Sequence, residues 1–260
     1  VAMSALFSSS AGKRAVEQAW LAYTPIWGAV TGAIMLGGLA ETWGDVELMT
    51  FGVLLAIGCL AAPLVRSRSP EVVHAWAAMS LAIVILAFGL NYLQTPYFFD
   101  VLHMRYGFHA SWRIEHNPIF LYFVTIPYFA TYSVLACMAV RAVRRVPVAI
   151  ALVPFALAFL ETVLNANPLM TRLFCYDDLP LMLWFGTLSY GVSFVLALPM
   201  WWSIAEPEGR LRSIAAVALV AIVVCFADRV VLDGLRVFVA PHVTTVVEGS
   251  DGGVGGCLSP

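Results

Sequence analysis

Apolar residues in this chain gather in long runs, without the two-residue alternation of a half-buried strand. Five segments, Trp20–Leu39, Leu48–Val65, Val72–Leu93, Ile119–Val140 and Leu179–Ile204, contain no Asp, Glu, Lys or Arg. Each reaches or approaches the roughly 20 apolar residues that a membrane-spanning helix requires. Two further runs stop at an acid, Val146–Leu160 at Glu161 and Ile214–Ala227 at Asp228. Counting both predicts an all-α fold, a polytopic membrane helical bundle of about seven transmembrane helices. Residues 1–15 are expected to form a polar arm, 16–242 the membrane-embedded bundle, and 243–260 a flexible Gly-rich tail.

Charge orients these spans. Lys13 and Arg14, Arg66 and Arg68, Arg141, Arg144 and Arg145, and Arg210 and Arg212 fall at the N-terminus and in alternate connections. Cytoplasmic loops carry the excess of Lys and Arg, so the N-terminus is expected inside and the C-terminus outside. Counted from the cytoplasmic ends of their runs, Glu161 then lies roughly 22 Å and Asp228 roughly 21 Å along their helices. Asn91 closes its own span on that same outer side, with Asp100, His103 and Trp112 expected in the loop that follows. The polar groups therefore converge on one half of the bundle.

Composition supports the membrane reading and removes several functions. Of 260 residues, 61% are hydrophobic and 12% charged, against about 25% charged in soluble domains. The formal net charge is −2 and the cations are scattered, which leaves no basic track for nucleic acid. Lys13 is the single lysine, so no retinal-type Schiff base can form in the last helix. The start of the chain has no apolar stretch of signal-peptide length. Cys59, Cys137, Cys175, Cys225 and Cys257 lack paired spacing and a CxxC motif, and they are expected to be small hydrophobes.

Glu161, in "AFLETVLN", is the sharpest candidate for chemistry. An ionised carboxylate at such depth is costly and is normally neutralised or paired, and a protonated carboxyl in an apolar pocket is suited to acid catalysis on a lipid. The competing expectation is a structural ion pair with Arg172 or Arg229. In "ADRVVLDGLRVF", Arg229 and Asp233 (i,i+4) and Asp233 and Arg236 (i,i+3) can meet on one helix face. Asp228 and Asp233 are candidates for a second carboxylate. His103, His109 and His116 are not spaced as a helical ligand pair, so no metal is expected, and His103 is a candidate proton relay. Aromatic residues crowd the outer half, Tyr92, Tyr97, Phe98, Tyr106, Trp112, Tyr128 and Trp184 among them. Interfacial belts explain most of these, but Tyr92, Phe98 and Trp112 are candidates to stabilise positive charge near the acids.

The blocks "NYLQTPYFFDVLHMRYGF", "SWRIEHNP", "FLETVLNANP", "VSFVLALPMWW" and "LDGLRVFVAP", with "YTPIW" near the first span, resemble the cyclopropyl sterol isomerase (cycloeucalenol cycloisomerase) family in the family's order. The resemblance implies a cofactor-independent membrane enzyme that opens the 9β,19-cyclopropane ring of a sterol. Protonation of the bridging carbon and loss of a proton would convert a cycloeucalenol-like sterol into an obtusifoliol-like Δ8 sterol. It also implies Asn91, Tyr92, Glu161, Thr162, Asp233 and Arg236 as site residues. Glu161 would be the general acid, Asp233 or Asp228 its partner or base, and Tyr97, Phe98, Trp112 and Trp184 would line the substrate. Two other readings stay open on the residues alone: a membrane terpene cyclase started by the same kind of acid, and a non-enzymatic lipid carrier.

Overall fold

The computed structural model describes residues 3–143, 146–206 and 212–249; Arg144, Arg145, Arg210 and Cys257 lie outside the described residues. Seven helices are long and apolar enough to cross a membrane, making the chain an all-α, multi-pass integral membrane protein. The helices are α1 (Ala11–Leu36), the short α2 (Leu39–Thr42), α3 (Asp45–Arg66), α4 (Pro70–Leu102), α5 (Ile119–Ala142) and α6 (Val146–Asn165). Next come α7 (Leu179–Leu181), which runs through a π turn at Met182–Gly186 into α8 (Thr187–Ser203), and then α9 (Ile214–Phe238).

Local chemistry sets several of these boundaries. Ser10, Ser69 and Ser213 cap α1, α4 and α9 by accepting a backbone N–H with their hydroxyls, as serine does well at a helix start. Pro70 opens α4 where a missing N–H costs nothing. Gly38, at φ +76°, turns the chain from α1 into α2. The α4–α9 contact depends on small residues, since a Cβ on Gly89 would come within 2.5 Å of Cys225 Sγ. Close approach over Gly and Ala is a common basis of helix packing in membranes.

Helix α4 departs from expectation. The pattern ends its span near Leu93 and puts Asp100 in a loop, yet the helix continues to Leu102, and His103 terminates it in the left-handed region at φ 52°. At 1.5 Å per residue its 33 residues extend roughly 50 Å. Pro96 sits inside it and cannot donate to the preceding turn. The helix is held there by neighbours: the Leu93 carbonyl accepts from Arg229 Nη1 of α9 at 2.9 Å. Gln94, Thr95 and every residue from Tyr97 to Leu102 are buried, so tertiary packing overrides the polar composition.

Four very short strands, not anticipated from the sequence, cover the same end of the bundle. β1 (Met104–Tyr106) pairs antiparallel with β4 (Phe174–Tyr176), Met104 opposite Tyr176. β2 (Arg113–Ile114) and β3 (Asn117–Pro118) form a hairpin, and its two turn residues, Glu115 and His116, both have positive φ. Cys175 is disulfide-bonded, which corrects the reading of the cysteines as small hydrophobes; Cys59, Cys137 and Cys225 are free and buried. Beyond α9, the first residues of the expected tail are ordered against α4. Val247 N donates to the Asp100 carbonyl at 2.9 Å, and His103 Nε2 lies 3.2 Å from Thr244 Oγ1.

The opposite end, expected to be cytoplasmic, is tied by charge. α1 begins inside the expected polar arm, and Lys13 is 1% exposed. Its Nζ donates to the Trp201 carbonyl at 2.7 Å. Arg141 of α5 grips Glu17 of α1 at 2.7 Å and also binds Glu206 just beyond α8. Removing one member of a buried pair leaves the other charge uncompensated, at a cost of about 3–5 kcal/mol. Arg141→Ala is therefore expected to lower the thermal midpoint in detergent sharply, whereas Arg68→Ala, on the exposed α3–α4 turn, should leave it nearly unchanged; equal midpoints would contradict a structural role for this network.

Candidate active site beneath the short strands

A cavity lies toward the end covered by β1 and β4, lined mostly by apolar and aromatic side chains with a few polar groups, as small-molecule sites usually are. Its walls come from α1 (Thr31, Met35), α4 (Leu90, Asn91, Gln94, Thr95, Phe98), α5 (Leu121, Val124, Thr125, Tyr128, Phe129), α6 (Glu161, Asn165) and α8 (Tyr190). Met104, Tyr106, Phe174 and Tyr176 of the strands, with Met170, complete it. On α4, Asn91, Gln94, Thr95 and Phe98 recur at three- and four-residue spacing, which places them along one helix face.

Glu161 projects into this space from the last turns of α6. Asn165, one turn on, donates Nδ2 to Glu161 Oε1 at 3.3 Å. Oε2 is buried, and among the described residues it has no partner in hydrogen-bond geometry. The Tyr132 hydroxyl lies within hydrogen-bonding reach of the carboxyl, outside strict hydrogen-bond geometry. The expected structural alternative is not seen: Arg229 pairs with Asp233 at 2.9 Å, and Arg172 lies 3.9 Å from Glu41. Among the described residues Glu161 is the only carboxylate that lines the cavity.

Aromatic faces surround the carboxyl. Phe98 stacks on Tyr190 with ring centroids 4.6 Å apart and planes at 30°. Tyr128 lies 4.6 Å from Trp27, and Tyr106 meets Phe174 edge to face at 5.8 Å. Burial pushes the Tyr106 and Tyr176 phenols, outside the spanning helices, up from their ordinary range. They stay neutral and can donate hydrogen bonds.

The polar wall is largely self-satisfied. Asn91 Nδ2 donates to the Ala87 carbonyl at 2.7 Å and to Thr125 Oγ1 at 2.9 Å, while its Oδ1 accepts from Asn117 Nδ2 at 2.8 Å. Gln94 Nε2 donates to Ser193 Oγ at 2.9 Å, and Ser193 Oγ donates to Asp228 Oδ1 at 2.8 Å. Asp228 is fully buried, behind Ser193 and off the cavity surface.

Of the candidate site residues named from sequence, Glu161, Asn91 and Phe98 therefore line the cavity, as do Tyr106 and Tyr128 of the aromatic group. Tyr97 is buried beside it, its hydroxyl 3.0 Å from Ser189 Oγ. Thr162 is turned into the α6–α8 contact, its Oγ1 2.9 Å from Thr187 Oγ1. Tyr92, Trp112 and Trp184 are about half exposed, at 47%, 48% and 53%. Asp233 binds Arg229, and Arg236 binds Asp100 at 2.8 Å in place of the expected contact with Asp233. His103 lies at the end of α4 against Thr244. Among the described residues no three His, Cys, Asp or Glu side chains gather as a metal site. Sequence reasoning missed Gln94, Thr125, Asn165 and Tyr190 as cavity residues. The first three had a signal, each lying three or four positions from a polar or acidic neighbour on its helix.

The chain is 26% identical over 250 residues to cycloeucalenol cycloisomerase of Arabidopsis thaliana, with 89% of this chain and 88% of the relative covered. No family model matches, and no solved structure matches.

Asn91 is the hub of the polar wall. Asn91→Ala removes the hydrogen bonds to Thr125 and Asn117; Asn117 Nδ2 keeps Thr95 Oγ1 at 3.2 Å, and each net hydrogen bond lost costs about 0.5–1.5 kcal/mol. The expected result is a clear drop in thermal midpoint in detergent, and an unchanged midpoint would contradict this assignment.

Proposed function

We propose that this protein is a membrane isomerase that opens the 9β,19-cyclopropane ring of a sterol by protonation from Glu161. The observation that carries this reading is a carboxyl lining an aromatic-walled cavity with no cation paired to it among the described residues. The similarity to a cycloeucalenol cycloisomerase along nearly the whole of both chains supports it.

The chemistry follows from the neighbours. In the neutral acid, Glu161 gives its proton to C19, the C9–C19 bond breaks, and C19 becomes a methyl group. Positive charge develops at C9, where the stacked Phe98–Tyr190 pair and the other aromatic walls offer their faces; such contacts gain strength when the cation is removed from water. Loss of the C8 proton forms the Δ8 double bond. The carboxylate left on Glu161 is, among the described residues, the one carboxylate lining the cavity, and it takes that proton, so the acid is regenerated without a second titrating group. Every atom and charge balances within substrate and Glu161. Asn165, donating to Oε1, holds the carboxyl in one orientation through the cycle. Asp233, His103, Arg236 and the exposed aromatics are assigned no contact with the ring.

Incubating the purified protein with a 9β,19-cyclopropyl sterol in heavy water tests the reading. The acid exchanges with solvent between turnovers, so the Δ8 product is expected to carry deuterium in its C19 methyl. Glu161→Gln should lower the rate by roughly 10²–10⁴-fold while the protein keeps its wild-type thermal midpoint. Wild-type protein that transports the sterol unchanged, or a fully active Glu161→Gln variant, would overturn it.

A further inference from the structure

Within the polar wall, one side chain is held rigidly while keeping part of itself for a ligand. Gln94 is 6% exposed and lines the cavity. Its Nε2 is engaged by Ser193, and among the described residues nothing donates to its carbonyl oxygen. Ser193 has a single hydroxyl proton, and it is directed to Asp228 Oδ1. The second oxygen of Asp228 is buried and has no hydrogen-bond partner among the described residues. Asp228 thus acts on this part of the wall through Ser193.

The order of donors matters. Asp228 Oδ1 accepts the Ser193 proton, and a carboxyl oxygen that carries no proton can only accept, whether or not the acid is ionised. Having spent that proton, Ser193 Oγ accepts from the amide nitrogen of Gln94. The amide is thereby fixed with its nitrogen toward Ser193 and its oxygen available to the cavity. Asn91, the other amide on α4, has its nitrogen and its oxygen engaged within the protein. Of the two α4 amides, Gln94 is the one left to meet a ligand; Asn165 of α6, which also lines the cavity, is committed through its nitrogen to Glu161.

We propose that Gln94 Oε1 is the subsite for a hydroxyl group on the lipid, with Ser193 and Asp228 as positioning residues behind it. This deepens the isomerase reading and rests on the same cavity. It assigns the substrate's alcohol to the α4 wall while Glu161 acts from α6. A hydroxyl satisfies the carbonyl by donating to it; a ketone or an ether cannot. A buried acceptor left unpaired by the wrong ligand carries a desolvation penalty, which is how such sites discriminate. Asp228, a candidate carboxylate for the chemistry by sequence, is in this account an orienting group that never touches substrate.

The test compares a 9β,19-cyclopropyl sterol carrying a free 3-hydroxyl with its 3-ketone and its 3-methyl ether. Binding to purified protein in detergent is read by quenching of intrinsic tryptophan fluorescence, which needs no turnover. Wild-type protein is expected to favour the alcohol by about tenfold over both analogues, the size of one net hydrogen bond. Gln94→Leu should bring the three ligands within about threefold of one another. Ser193→Ala should narrow the preference too, and Ser193→Thr, which restores a hydroxyl, should recover it; a merely structural role would not move this ratio. Equal affinities in the wild type, or an undiminished preference in Gln94→Leu, would overturn the subsite. If Gln94→Leu does not fold, the Ser193 pair decides in the same way. A wild type that keeps the preference yet never opens the ring supports the subsite and contradicts the isomerase reading; ring opening without preference does the reverse.

Discussion

A carboxyl group inside a membrane bundle must be matched by its neighbours, because neither lipid nor apolar side chains can solvate it. Glu161 is only half matched. Asn165 engages one oxygen, and the other is buried and has no hydrogen-bond partner among the described residues. An uncompensated polar atom in a native structure costs free energy and calls for an explanation. A group that must exchange a proton with a ligand supplies one, since a carboxyl fully saturated by an arginine could not release its proton to a hydrocarbon.

The two ends of the bundle make this contrast within one molecule. At the N-terminal end of α1, Lys13, Glu17, Arg141 and Glu206 are buried together, and cations face anions in a closed set. That network joins α1, α5 and the end of α8. At the other end, the acids are separated. Asp100 is neutralised by Arg236, Asp233 by Arg229, and Asp228 is held by a serine. Glu161 is left to the cavity. The guanidinium groups that could have quenched it are engaged elsewhere, and Arg229 is further committed to the Leu93 carbonyl, near the break in the backbone ladder at Pro96.

Much of this was legible in the sequence. Seven apolar runs gave seven helices, and the acids that end two of them marked the half that holds the cavity. Glu161 and Asn91 were visible because each breaks or closes an apolar run, and Phe98 because it stands in the aromatic cluster that follows Asn91. The extent of α4 was not legible: polar and proline-containing sequence normally ends a helix, and here burial of Gln94, Thr95 and Tyr97 through Leu102 carries it on. Strand β4 and its pairing with β1 depend on contacts about 70 residues apart, which local pattern cannot reveal. Ser193 lies in an apolar run with no charge near it in sequence, so its link between Gln94 and Asp228 becomes apparent only when α4, α8 and α9 are brought together. Conversely, Tyr92, Trp112 and Trp184 stand in suggestive company along the chain, yet their side chains are half exposed and away from the cavity.

The central claim is that an un-ionised carboxyl at position 161 meets the sterol inside this cavity. Infrared difference spectroscopy of the purified protein, recorded with and without a cyclopropyl sterol, addresses it most directly through the C=O stretch of a protonated carboxylic acid. The account predicts a carboxylic-acid band that shifts when sterol binds and disappears in Glu161→Gln. A band indifferent to sterol, or a sterol-sensitive band that persists in that variant, would contradict it.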